Sequence, residues 1–149
     1  MVDKEKLFIY TDGGCSVNTN KTGCWAYVAV LNDQVLSEDY GVEDDVTNSK
    51  MEAKAMMYAL LFASEYCREN DGEVVIKSDS QYCVNAYNTW TKGWEKNNWR
   101  KSNNKPIEHV DTWKAMHYNL RHERVTVEWV RGHNGNKWNE YVDRLTHNR

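Results

Sequence analysis

A chain of 149 residues with a net charge of −3 and 40% hydrophobic residues has the size and composition of one globular domain with a substantial core. It has a single proline, no internal repeat and no apolar run near the ~18 residues of a membrane helix, so linker-rich, repetitive and helical membrane-spanning designs are excluded. The start, Met1 to Lys6, is mixed in charge and leads straight into a strand-like run, unlike a secretory leader, so a cytoplasmic protein is expected.

Leu7-Phe8-Ile9-Tyr10-Thr11 predicts a first strand, closed by Asp12-Gly13-Gly14 as a turn signal. The stretch from Cys24 to Leu31 predicts a second strand and that from Val35 to Tyr40 a third, joined by a short loop at Asn32-Asp33. Connections this short imply an antiparallel meander. Met51 to Cys67 is rich in Ala, Met and Leu and free of Gly and Pro, which predicts a long, well-buried helix. Val74-Val75-Ile76 predicts a fourth strand that runs out into Ser78-Asp79-Ser80, and helical sequence resumes at Gln81. Val110, Trp113, Met116 and Leu120 fall at helical spacing, so a helix is expected from Glu108 to Leu120. Val125 to Val130 alternates as a strand, Gly132 to Asn136 reads as a loop, and Trp138 to Thr146 reads as a short final helix. The order implies a single α/β domain over residues 1–149. Its sheet is mixed and five-stranded, three strands antiparallel and the rest parallel, with helices on its faces.

Cys15, Cys24, Cys67 and Cys83 form no C-x-x-C pair and meet no histidine pair, so reduced thiols in packing roles are expected. Charge is unevenly spread. From Thr89 to Pro106 five basic residues, Lys92, Lys96, Arg100, Lys101 and Lys105, face Glu95 alone, a net of +4 that leaves −7 on the rest of the chain.

Four acids take comparable places in this plan: Asp12 and Asp79 at strand ends, Glu52 in the first turn of the long helix, and Asp143 on the last helix. Ligands of open α/β sheets gather at the carboxyl ends of strands. Carboxylates crowded there repel one another, a conflict that hard divalent cations with oxygen ligands remove. Each acid also has a plain structural role open to it. Asp12 suits a turn, Ser49 to Glu52 spells a capping box, Asp79 suits a helix N-cap, and Asp143 suits an exposed helix surface. Spacing alone leaves these alternatives open.

Five segments in order resemble the motifs of the type 1 ribonucleases H: Thr11-Asp12-Gly13-Gly14, Asn48-Ser49-Lys50-Met51-Glu52, Asp79-Ser80-Gln81-Tyr82, Val130-Arg131-Gly132-His133-Asn134-Gly135 and Asn139-Glu140-Tyr141-Val142-Asp143. The resemblance runs from about Leu7 to about Leu145. It implies a ribonuclease H-like fold with a basic handle, and a monomeric endonuclease that hydrolyses the RNA strand of RNA–DNA hybrids. It further implies a two-metal-ion mechanism with Mg²⁺, or Mn²⁺ as a substitute, leaving 5′-phosphate and 3′-hydroxyl ends, with no small-molecule cofactor and no membrane partner. By the same resemblance Asp12, Glu52, Asp79 and Asp143 are catalytic metal-binding carboxylates. His133 assists proton transfer or product release, and Asn18, Asn48 and Gln81 contact the hybrid. Trp90, Trp94, Trp99 and Trp113 are expected to form the packing core of the handle, and Lys96, Arg100 and Lys101 to neutralise phosphates. Glu140 falls beside the active site or simply supports its helix. Three departures stand out. Thr19 to Gly23 replaces a Pro/Gly-rich stretch, six residues follow Asp143, and no hybrid-binding domain precedes the catalytic one. The alternatives are another nuclease of the same fold, such as a resolvase or integrase, and a hybrid-binding module without catalysis.

Overall fold

Leu7, Ile9 and Thr11 are buried while their neighbours are partly exposed, the period-two pattern of a strand. In the computed structural model, which describes residues 6–15, 22–132 and 135–148, they belong to β1 (Leu7–Cys15), the middle strand of five. The expected residues Asn18 and His133 lie outside the described residues. β1 pairs antiparallel with β2 (Gly23–Leu31), which pairs antiparallel with β3 (Gln34–Glu43). On its other side β4 (Val74–Ser78) and β5 (Val125–Trp129) continue in parallel, giving the order β3-β2-β1-β4-β5 and the expected mixed sheet. Asn32 and Asp33 join β2 to β3 with φ of 53° and 60°, the paired left-handed residues of a tight hairpin.

The helices are α1 (Asn48–Glu69), α2 (Gln81–Asn85), α3 (Thr91–Lys96), α4 (Val110–Asn119) and α5 (Lys137–Leu145). β2 is buried almost throughout because helices cover both faces of the sheet. Trp25, Tyr27 and Ala29 join Leu7, Ile9, Val74 and Ile76 in the larger core with Met56 and Leu60 of α1. Ala26, Val28 and Val30 meet Val142 of α5 in a smaller core on the opposite face. Among the described residues no helix is long and apolar enough to cross a membrane, and none of the four cysteines forms a disulfide.

Two local readings of the sequence are corrected. Asp12-Gly13-Gly14 is not a turn: β1 continues through it, pairing Asp12 with Ala26, Gly13 with Trp25 and Gly14 with Cys24. Glycine is required at position 13 for close approach, since a Cβ there would lie 2.3 Å from the Met51 carbonyl carbon and 2.4 Å from the Glu52 nitrogen. α1 also begins earlier than expected. Its cap is Thr47, whose Oγ1 accepts from the Lys50 N–H at 3.2 Å, so Glu52 is the fifth helical residue, past the first turn, and no Ser49–Glu52 capping box forms. Ser49 instead bonds His109 Nε2 at 3.0 Å.

The handle follows β4. α2 passes through a π-helical turn, Ala86–Trp90, into α3, and an irregular loop leads to α4. Trp99 and Trp113 are buried in its core and Trp94 packs partly buried between them, as expected, whereas Trp90 stays exposed at the edge of the cluster. Trp94 lies 6.3 Å from Trp90, 6.4 Å from Trp99 and 6.0 Å from Trp113 between ring centroids. α4 starts at Val110 rather than at Glu108, because His109 takes a left-handed φ of 57°.

The close approach at Gly13 generates a first prediction. Gly13→Ala forces α1 away from β1 and should cost about 2–3 kcal/mol, lowering the thermal midpoint by roughly 5–10 °C. Gly93→Ala, on α3, meets nothing within 4 Å of its new Cβ and should raise stability by up to ~1 kcal/mol. Thermal melts of both variants decide. A Gly13→Ala protein as stable as the parent would show that the helix does not bear on the strand there.

Candidate active site

The register of the sheet places the acids. Parallel pairing of β1 with β4 ends at Thr11 and Ser78, so Asp12 and Asp79 are the next residue on each strand. Glu52 sits on α1 where that helix bears on Gly13, and Asp143 sits on α5. All four side chains are half-buried. The caps that sequence left open are taken by other residues. Ser80 rather than Asp79 caps α2, its Oγ accepting from the Cys83 N–H at 3.2 Å.

The acids are coupled in series. Burial, then the charge of Asp79, then a hydrogen bond shared with Asp143 and the charge of Asp143 push the Asp12 carboxyl up to about 8 from 3.8, against a backbone hydrogen bond from Gly13. Burial raises Glu52 as well; a hydrogen bond from Ser80 opposes it and the charge of Asp79 adds to it. The order is thus Glu52, Asp79, Asp12, Asp143. The links are pairwise, for among the described residues no three His, Cys, Asp or Glu side chains close on one point as a ready-made metal cage. Thr146 Oγ1 lies 2.7 Å from the Asp143 carbonyl and 3.4 Å from Asp12 Oδ2, tying the end of α5 to the strand acid. Trp129 Nε1 donates to the Asp79 carbonyl at 3.3 Å. A Cβ on Gly132 would come within 2.9 Å of Asp79 Oδ2, so glycine there leaves that carboxylate its room. Cys83 lies beneath the cluster. Burial first, then the charges of Glu52 and Asp79, against a hydrogen bond with Ser80, push its thiol up to about 12, which keeps it protonated and unreactive.

The other expected residues lie on neighbouring elements. Asn48 is exposed at the start of α1, where its Oδ1 accepts from the Cys15 N–H. Gln81 is exposed at the start of α2. Lys96, Arg100 and Lys101 are exposed on the handle; Arg100 donates to the Asn104 carbonyl at 3.1 Å, and Lys101 lies 4.0 Å from Glu108. Ser80 and Thr146 were missed as partners of the acids. Ser80 adjoins Asp79 and had a visible signal, a hydroxyl residue before a helix. Thr146 had none, because its bond to Asp12 depends on how α5 packs.

The raised Asp12 pKa makes stability depend on pH. A carboxyl whose folded pKa exceeds its unfolded value contributes stability that is fully present below the unfolded pKa and is lost as pH rises through the folded one. Metal-free protein should therefore lose stability between about pH 4 and pH 8, the window set by 3.8 and about 8. Asp12→Asn removes this titration. Its melting midpoint should fall less over that range and exceed the parent's at pH 8. Parallel melting curves against pH, taken with chelator, would contradict the clustering of these acids.

Comparison with known proteins gives the family and the fold. The family model described as RNase H matches residues 4–149. A protein named Ribonuclease H from Syntrophomonas wolfei is 38% identical over 145 residues, covering 97% of this chain and 95% of its own length. One of the same name from Janthinobacterium sp. (strain Marseille) is 36% identical, covering 95% of this chain and 93% of its own. Among solved structures, the PFV RNase H domain superposes with a TM-score of 0.82 at 21% identity, over 97% of this chain and 94% of that one, a likeness of fold. Matches that span nearly the whole chain at this identity place it among hydrolases: the chain belongs to the ribonuclease H family.

Proposed function

We propose that this chain acts as a single catalytic domain over residues 1–149 that cuts the RNA strand of RNA–DNA hybrids internally, leaving 5′-phosphate and 3′-hydroxyl ends. The observation that carries this reading is the run of neighbouring carboxylates from β1, α1, α5 and the end of β4, gathered where the parallel pairing of β1 and β4 stops, in a chain whose handle supplies the positive charge. Neighbouring oxygen-donor side chains, with Asp12 and Glu52 disfavoured as anions by burial and by nearby charge, fit a hard divalent cation. Asp12, Glu52, Asp79 and Asp143 would hold Mg²⁺, or Mn²⁺ in its place, and two such ions supply an activated water and charge neutralisation at the leaving oxygen.

The chain's own residues orient this site. Ser80 holds Glu52, Thr146 holds Asp12 against the end of α5, and the close approach at Gly13 fixes the helix that carries Glu52. With its oxygen bonded to Cys15, Asn48 offers its amide N–H groups to 2′-hydroxyls and base edges; Gln81, and Asn18 by resemblance, serve alike. His133, by resemblance, assists proton transfer or product release. Substrate is a hybrid duplex bound by a monomer in the cytoplasm, with no small-molecule cofactor. Double-stranded DNA lacks the 2′-hydroxyls, and the hybrid's DNA strand distinguishes it from double-stranded RNA.

Asp79→Asn keeps shape and removes a cation-binding charge. Cleavage of a labelled hybrid with Mg²⁺ should fall by at least ~10²-fold with hybrid binding retained. A variant that keeps a tenth of the parent rate would sink the reading.

Replacing Lys96, Arg100 and Lys101 with Ala should act mainly on KM, because binding given up at the handle is shared by ground and transition states. The slope of log K against log salt should become shallower by roughly 0.9 for each phosphate that is no longer neutralised. Affinities at several salt concentrations check this, and parallel plots would show that these charges do not touch the backbone.

A further inference from the structure

The geometry points to Arg121 as the residue that fixes the angle of the basic handle, and so as a positioning residue for hybrid binding. This rests on the proposed reading of the handle as a hybrid-binding element.

The handle leaves β4 through a helix that widens for one turn. In regular α-helix the Thr91 N–H would bond the Tyr87 carbonyl; across the π-helical turn it bonds the Ala86 carbonyl instead. The Tyr87 carbonyl is thereby left without its helical donor. It accepts from Arg121 Nη2 at 2.8 Å and from Thr91 Oγ1 at 3.4 Å. Arg121 Nη2 also reaches Thr91 Oγ1 at 2.8 Å, and its guanidinium lies over the Tyr87 ring, 4.2 Å from the centroid. A wide turn is an insertion that a helix can shed, so something outside the helix must hold it. Arg121 follows α4, far along the chain from the turn it holds.

The same side chain reaches the far end of α3 through a relay. Its Nε and Nη2 face His117 Nδ1 at 3.3 and 3.0 Å, and His117 Nε2 faces Glu95 Oε2 at 3.5 Å. With Nδ1 accepting, the ring proton sits on Nε2, toward the carboxylate. Arg121 thus engages the wide turn at Tyr87, the first residue of α3 at Thr91, and α3 again at Glu95, the one acid among the handle's five bases. Asn88 pins the turn from its other side, donating to the Val127 carbonyl of β5 at 2.9 Å. Helix α3 carries Lys92 and Lys96 and runs into the loop with Arg100 and Lys101, so the direction of α3 sets where those charges meet a phosphate backbone.

Arg121→Lys tests this, because it keeps the positive charge but removes the planar fork and the stacked face. With labelled hybrid and Mg²⁺, well below the variant's melting midpoint, KM should rise about three- to ten-fold, the net worth of one ordinary hydrogen bond. The value of kcat should stay within about two-fold, since the carboxylates are untouched. Backbone amides from Tyr87 to Lys96 should exchange faster, and the triple handle substitution should add less to KM in this background than in the parent. If Arg121→Lys destabilises the protein too far, Thr91→Val removes one acceptor of the same guanidinium and should raise KM in the same direction by less. Unchanged KM in both variants, with the triple substitution still raising it, overturns the role of Arg121 and leaves the handle reading standing. A triple substitution without effect on KM or salt slope overturns the handle reading and this inference with it.

Discussion

Helix α1 bears directly on the backbone of β1 at Gly13, and the chemistry of the site depends on that approach. A strand and a helix come this close only where one of them lacks a side chain. Asp12 precedes the meeting point and Glu52 belongs to it, so one missing Cβ brings two acids of different elements to the same end of the sheet. β4 adds Asp79 through parallel register with β1, and α5 adds Asp143 from the opposite face. The fold thus forces like charges together, and burial sharpens the conflict. The raised Asp12 and Glu52 carboxyls are the sign of that conflict.

The element order and the mixed sheet were legible because strand and helix periods were clean in the apolar runs. The two faces of β2 are an instance: Trp25, Tyr27 and Ala29 against Ala26, Val28 and Val30 divide the chain's two cores by simple alternation. What misled was local chemistry with more than one meaning. Asp-Gly-Gly is a turn signal until a helix packs on it, and Ser49-x-x-Glu52 is a capping box until Thr47 takes the cap ahead of it. Both errors concern the site, where tertiary packing overrides the local preference. The acids themselves were identified by motif, and no periodicity would have singled them out.

The handle shows the opposite balance. Its tryptophan core was legible through the family resemblance, and Trp94, Trp99 and Trp113 do cover one another while Trp90 lies at the edge. Its π-helical turn was not, because no residue in it demands an extra backbone step. That step is held by Arg121 and Asn88, through bonds that join distant parts of the chain. The positive φ of Trp99 (60°) belongs to the same kind of feature, a backbone state kept by the burial of its indole against Trp94.

Asp143 stands on the helix that packs on the lesser of the two cores. α5 enters the lesser core through Val142 as its one fully buried apolar side chain, with Trp138, Tyr141 and Leu145 packed partly buried beside it and polar ties at the edge, Trp138 to Asp33 and Tyr141 to Glu38. Segments held this way open below the free energy of global unfolding. Detachment of α5 would carry off Asp143 together with the Thr146 bond to Asp12, while the sheet, α1 and the other three acids stayed in place. Opening of that small core ahead of the larger one would leave a form that keeps most of its architecture and has shed one corner of its charge cluster.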